Sequence, residues 1–286
     1  MTVMIVNRGD RLFRRELLSQ VQSIALGETL WVNGPDHSLE LETLSHEFPL
    51  ARFLLIANSV TAGEMVNIGI SEARARYVLC MWSDARIASV SPALISSLEE
   101  FRAVCVLPTI RTSRAEQVPS YQSPQLKKGK LSLRFRTPTR EGEKVFFPFD
   151  YCAIYDRERF KRVGGYDPAI SNPYWQKIDF GFRCHLWEER ICGTGALALT
   201  YAGLPASEDA TPDGSYKAFY LKNLAVRLKR DYGVLPLNRL LEYMLHSDTG
   251  PSYAFKEFSK VREWVRKNKF RFRHDPRKIV EGWGTE

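Results

Sequence analysis

Gly63-Glu64-Met65-Val66-Asn67-Ile68-Gly69-Ile70-Ser71-Glu72-Ala73-Arg74-Ala75-Arg76-Tyr77-Val78-Leu79-Cys80-Met81-Trp82-Ser83-Asp84 is the stretch on which the fold turns. Its first part predicts a helix over residues 61–75, and the unbroken apolar run at 77–82 predicts a buried strand stopped by Ser83-Asp84. Asp84 therefore stands at the end of a strand that directly follows a helix.

The same alternation extends towards the N-terminus. Residues 2–7 read as a short buried strand. Residues 11–26 place Leu12, Leu17, Leu18, Val21 and Ile24 close to helical spacing, closed by Gly27. Strands at 29–33 and 53–57 flank a helix over 38–46, with Ser38 as its N-cap. Parallel neighbours need crossover connections, so strands alternating with helices argue for an open, mostly parallel α/β sheet covered by helices. Ligands bind such sheets at the carboxyl ends of the strands. Asn7, Asn33 and Asp84 all fall there, so one crevice collects them.

Further along, a helix is expected at 92–101 and a strand at 103–108. Residues 111–144 are polar, with one hairpin around 131–135. A strand at 146–155, a helix at 157–163 broken by Gly164-Gly165, and a helix at 178–189 follow. After Pro212 the chain reads as helical, over 215–230, 236–245 and 254–267. The expected organisation is a main domain over residues 1–210 with a helical C-terminal extension over 211–286.

Composition narrows the function classes. The 286 residues are 44% hydrophobic and 12% aromatic, enough apolar surface for one main core. No apolar run reaches the roughly 18–20 residues of a membrane span. The start of the chain lacks the pattern of a secretory leader. Five cysteines without a CxxC pair read as buried thiols of a reducing compartment, so a cytoplasmic location is expected and a zinc site is not. The net charge of +8 is concentrated after residue 217 and suits anionic partners. Phe255, Phe258, Val261, Trp264 and Val265 recur at helical spacing among basic residues. They either pack on the main domain or rest on an anionic membrane at its inner face. Lys269-Phe270-Arg271-Phe272-Arg273 interleaves aromatic and basic residues, but no nucleic-acid-binding motif accompanies it, and nucleic acid is not the expected partner.

Two segments resemble the family-2 glycosyltransferases, which have the GT-A fold. The first is the stretch from Gly63 to Asp84, similar to the family's Gly, Ala-Arg-Asn-x-Gly, helix end and Tyr-Ile/Val leading to Asp-x-Asp. The second is Phe160-Lys161-Arg162-Val163-Gly164-Gly165-Tyr166-Asp167 followed by Asp179-Phe180-Gly181-Phe182-Arg183. It is similar to Phe-x-x-Val-Gly-Gly-Phe-Asp and then Glu-Asp-x-Asp-Leu-x-x-Arg. With residues 29–34, the resemblance spans about residues 1–205.

The resemblance implies a GT-A-like (Rossmann-like) sheet and an inverting sugar transfer from a nucleotide diphosphate sugar. The acceptor would be a glycan or a lipid-linked molecule, as in bacterial cell-envelope polysaccharide synthesis. It puts Asn7, Asn33 and Asn67 at the nucleotide sugar and Asp84 at the diphosphate with Mg²⁺ or Mn²⁺. Three departures stand out. Asn33 takes the place of an acid that holds the nucleobase, and an amide still pairs with a base edge. Trp82 replaces the first acid of Asp-x-Asp. Gln176-Lys177 replaces the Glu-Asp whose Asp is the general base, and an ammonium has no lone pair with which to accept a proton. Asp179 is then a candidate base, with Asp167, Glu208 and Asp209 as alternatives. The further alternative is a catalytically degenerate relative that binds nucleotide, sugar or a protein partner without turnover.

Overall fold

A computed structural model describes residues 1–8, 14–35, 41–127, 130–203, 208–245 and 250–283. The first part runs β1 (Thr2–Val6), α1 (Arg14–Ile24), β2 (Glu28–Asn33), α2 (Leu41–Glu47), β3 (Ala51–Leu55), α3 (Ala62–Glu72) and β4 (Tyr77–Trp82). β3, β2, β1 and β4 pair in parallel, in that spatial order. This is the arrangement the alternating pattern implies. Ser38, the expected cap of α2, lies outside the described residues. Thr61 caps α3 through a reciprocal box with Glu64, which fixes where that helix starts.

Beyond β4 come β5 (Ala85–Val90), α4 (Leu94–Phe101), β6 (Cys105–Arg111) and the hairpin of β7 (Tyr121–Lys127) and β8 (Lys130–Arg136). A 3-10 turn at Phe149–Tyr151, β9 (Ala153–Asp156), α5 (Arg157–Val163), α6 (Pro173–Leu186) and β10 (Ile191–Tyr201) follow. The eight-stranded sheet has the order β3-β2-β1-β4-β9-β6-β10-β5. β9 runs antiparallel to both neighbours, and β5 runs antiparallel to β10. The second half of the sheet is therefore mixed.

Several boundaries differ from expectation for local reasons. The strand expected over 146–155 shrinks to β9, because Asp150 and Tyr151 adopt left-handed φ of 48° and 61°. α6 starts earlier than residue 178: Asn172 accepts from the backbone N–H groups of Tyr174 and Trp175, and Pro173 sits at its first position. β5 and β10 were not expected; β5 is half exposed along its length. Gly193 in β10 lies against the Tyr121 ring, where a Cβ would collide with the phenol oxygen.

The C-terminal extension holds α7 (Gly214–Phe219), a π-helical turn at Tyr220–Leu224, β11 (Arg227–Lys229), β12 (Tyr232–Val234), α8 (Asn238–Leu245), α9 (Pro251–Asn268) and α10 (Pro276–Glu281). The helix expected over 215–230 thus ends early and gives way to a short hairpin. Ala254, Phe258 and Val265 of α9 join one apolar cluster with Phe146, Phe182 and Leu186 of the main sheet's covering layer. Among the described residues no helix is long and apolar enough to cross a membrane.

Candidate active site

The ends of β2, β1 and β4 lie side by side, and hydrogen bonds continue the ladder past them. Asn7 N–H donates to the Val32 carbonyl at 2.8 Å and Ser83 N–H to the Val6 carbonyl at 3.0 Å. Asn7, Asn33 and Asp84 consequently share one edge of the sheet. The Asn7 amide donates to Asn33 Oδ1 at 2.8 Å, and the Asn33 amide donates to the Gly34 carbonyl at 2.9 Å. Both side chains are buried, and Asn7 Oδ1 meets no donor among the described residues. A buried acceptor without a donor costs about 1–3 kcal/mol, so this edge has unused polar capacity.

Arg8, the residue after Asn7, reaches across the strand ends. Its Nη2 donates to both oxygens of Asp84 at 3.0 Å, and its Nη1 donates to Asp150 Oδ2 at 2.8 Å. The guanidinium lies 4.6 Å from the centre of the Trp82 ring and 5.8 Å from that of Tyr201. Trp82 Nε1 donates to the Asp150 carbonyl at 2.7 Å, and Tyr201 Oη donates to Asp150 Oδ2 at 2.8 Å. Burial works to lower the Arg8 pKa, but the charges of Asp150 and then Asp84 outweigh it and hold the group more firmly protonated than usual. The left-handed pair Asp150-Tyr151 costs of order 1–3 kcal/mol per residue, and the bonds to Trp82, Tyr201 and Arg8 hold it in place.

The Mg²⁺ or Mn²⁺ expected on Asp84 does not fit this donor set. A hard cation takes six or more oxygens with lone pairs directed at it. Here both oxygens of Asp84 face a guanidinium, and Asp150 Oδ2 accepts from Arg8 and Tyr201 together. No cluster of three acids, histidines or cysteines suited to a metal occurs among the described residues.

Asp179 sits apart from this edge, inside α6. It is fully buried; Oδ2 accepts from Arg183 at 2.7 Å and Oδ1 from Asn223 at 2.7 Å. Arg183 also donates to the carbonyls of Val163 at 2.7 Å and Gly165 at 2.9 Å, so the pair ties α6 to the end of α5. Asn67 is likewise engaged: its amide donates to the Tyr166 carbonyl at 2.7 Å and its Oδ1 accepts from Tyr166 N–H at 2.9 Å. Gln176 accepts from Gly63 N–H at 3.1 Å and from Tyr151 Oη at 2.8 Å.

Lys177, buried at the start of α6, donates to Glu208 Oε1 at 2.6 Å and lies 4.8 Å from the Tyr151 ring centre. Glu208 Oε2 has no hydrogen-bond partner among the described residues. Tyr151 also packs edge-on against Trp82, 6.3 Å between centroids, so Lys177 and Arg8 each lie on one ring of an aromatic pair. Asp167 is held by Lys222 at 2.5 Å; burial would raise its pKa, but the Lys222 charge outweighs that and lowers it. Asp209 caps the nearby turn by accepting from Thr211 N–H at 2.9 Å. Sequence reasoning passed over Arg8, Asp150 and Tyr201. The one available signal was a cation placed directly after a buried strand, at the end where such sheets bind ligands.

No protein-family model matches this chain, and no curated protein matches its sequence. Solved structures share its fold. A crystal structure of GalNAc-T7 with UDP, GalNAc and Mn²⁺ superposes with a TM-score of 0.65 at 12% identity, over 99% of this chain and 56% of the other. A crystal structure of S. aureus TarS superposes with a TM-score of 0.53 at 13% identity, over 91% of this chain and 42% of that one. The chain thus spans about half the length of these two structures, and identities this low speak to architecture alone. With its parallel half-sheet, its mixed second half and these two superpositions, the chain has the GT-A fold of glycosyltransferases.

Proposed function

We propose that this protein transfers a sugar from a nucleotide diphosphate sugar to a hydroxyl acceptor, a glycan or a lipid-linked molecule, with inversion at the anomeric carbon. The observation that carries it is the convergence of Asn7, Asn33, Arg8 and Asp84 on one edge of the parallel half-sheet. Asn7 and Asn33 would receive the nucleotide, and the Arg8–Asp84 pair would stand at the diphosphate. The motifs quoted above favour the family-2 branch and a bacterial cell-envelope role. The basic C-terminal helices would bring the protein to the inner membrane face where a lipid-linked acceptor resides.

A proton must leave the acceptor hydroxyl during transfer, and a general base needs an oxygen within reach of it. Asp179 has both oxygens in use and no exposure, which suits a framework role. Glu208 is the better candidate base, because its side chain is part-exposed and Lys177 holds one oxygen while the other, though buried, is unpartnered among the described residues. The pair Gln176-Lys177 would then hold in place a carboxylate delivered by the segment after β10.

Thermal-shift screening against UDP-, GDP- and dTDP-sugars identifies the donor, and product analysis with that donor reports hydrolysis or transfer. Glu208→Gln is expected to lower kcat by about 10²–10⁴-fold with donor affinity nearly unchanged, the range for removing a general base. Asp179→Asn is expected to act mainly on stability, by roughly 3–5 kcal/mol, because it strands the buried Arg183 charge. Full turnover in Glu208→Gln would remove Glu208 from the mechanism. Donor binding with no turnover in the wild type would instead assign the protein to binding alone.

A further inference from the structure

We propose that Arg8 is the resident cation of the donor site, its guanidinium rather than a divalent ion facing the diphosphate, so that donor binding proceeds without divalent metal. The proposal rests on the donor-site reading above. Three observations on separate elements converge on it. First, two described acids bind Arg8 together: Asp84 just beyond β4 and Asp150 in the turn before β9. A guanidinium thus stands between the two carboxylates.

Second, the replacement of the first Asp-x-Asp acid by Trp82 has a physical counterpart. An indole ring offers a hard cation no oxygen, but its face attracts a guanidinium, and the Arg8 guanidinium lies 4.6 Å from the Trp82 ring centre. The substitution that removes a metal ligand therefore supplies a platform for the arginine. Third, the Arg8 side chain keeps 26% of its surface exposed although its charge is doubly paired. Guanidinium has five N–H donors in a planar fork suited to phosphate oxygens, and the two carboxylates leave some of them available.

The charge balance has a consequence. A divalent ion between two carboxylates is neutral overall, whereas one guanidinium leaves a single negative charge. The diphosphate is therefore held less tightly than at a metal-loaded site. Removing the arginine takes away the positive charge between Asp84 and Asp150, so a divalent ion is repelled less there.

The test is calorimetric titration of the wild-type protein with UDP, GDP and dTDP, each in EDTA and again in Mn²⁺, repeated with Arg8→Ala and Arg8→Lys. In the wild type, the affinity of the nucleotide that binds is expected to differ by less than about threefold between EDTA and Mn²⁺. Arg8→Ala is expected to lose at least about tenfold in EDTA and to recover part of it in Mn²⁺, with Arg8→Lys in between. Wild-type binding that vanishes in EDTA and returns with Mn²⁺ would overturn the proposal while leaving the donor site standing. Arg8→Ala binding as tightly as wild type in EDTA would overturn it too. Absence of binding by all three nucleotides in both conditions would sink the donor site and this proposal together. The wild-type comparison needs no variant, so it decides the matter even where Arg8→Ala does not fold.

Discussion

At the scale of single residues, the buried titratable groups divide into those that face the sheet edge and those that hold the frame. His185 belongs to the frame. Its ring stacks on Phe146 at 5.6 Å between centroids, and its Nε2 lies 3.1 Å from the carbonyls of Val145 and Phe146. Burial pushes its pKa down to about 3, with Lys144 adding to the effect. The unfolded chain, with an ordinary histidine pKa near 6.5, then binds the proton that the folded chain refuses. Stability from this group is present above about pH 6.5 and falls as the pH drops towards 3, by about 2 kcal/mol between pH 7 and pH 5. Urea melts at the two pH values check this, and His185→Gln should remove that share of the pH dependence.

At the scale of elements, the segments that resemble family motifs act on one another. Gln176 of α6 binds the start of α3 through Gly63, Asn67 of α3 binds Tyr166, and Arg183 of α6 binds the carbonyls of Val163 and Gly165. α3, the Gly164-Gly165 turn and α6 are thereby joined into one block behind the sheet. Both glycines of the turn have positive φ, 89° and 61°, and a Cβ at Gly165 would approach Asn67 Oδ1 to 2.5 Å. Gly63 is just as closely met: a Cβ there would stand 2.3 Å from Gln176 Oε1 and 2.7 Å from Tyr166 Cβ. Gly63→Ala should therefore separate α3 from α6 and cost about 1–3 kcal/mol, the usual penalty for overpacking, read as a lower urea midpoint. An unchanged midpoint would show that the two helices do not need this contact.

At the scale of the whole molecule, the chain after residue 210 shares a core with what precedes it. Phe219, Leu221, Phe258, Val265, Phe272 and Val280 pack with Phe146, Phe147, Trp175, Ile178, Phe182 and Leu186 in one cluster. Trp187 stacks on Trp264 at 5.9 Å, and Arg271 donates to the Arg162 carbonyl at 2.6 Å. A protein cut after Pro212 would leave that face of α6 open to water, an apolar patch large enough to drive association. We expect it to express as aggregate or to lack a cooperative thermal transition. A soluble fragment melting as sharply as the intact chain would mean that residues 1–210 fold unaided.

The parallel half of the sheet was legible in the sequence, because β1, β2 and β4 are short apolar runs closed by polar residues and separated by helical periods. So were the Gly164-Gly165 turn and the helix after it. Those signals are local, set by side-chain period and by backbone angles that few residues adopt. β5 was not legible, since only alternate residues near its start are buried, and neither was β10, whose glycines interrupt its pattern. The site's chemistry was the least legible part. Arg8 and Asp150 are 142 positions apart, and no periodicity links them. Sequence alone determined the alternating strands and helices of the parallel half-sheet. Only the tertiary structure decided that an arginine lies between two aspartates and that Asp179 is enclosed, because pairing and burial depend on contacts between segments far apart along the chain.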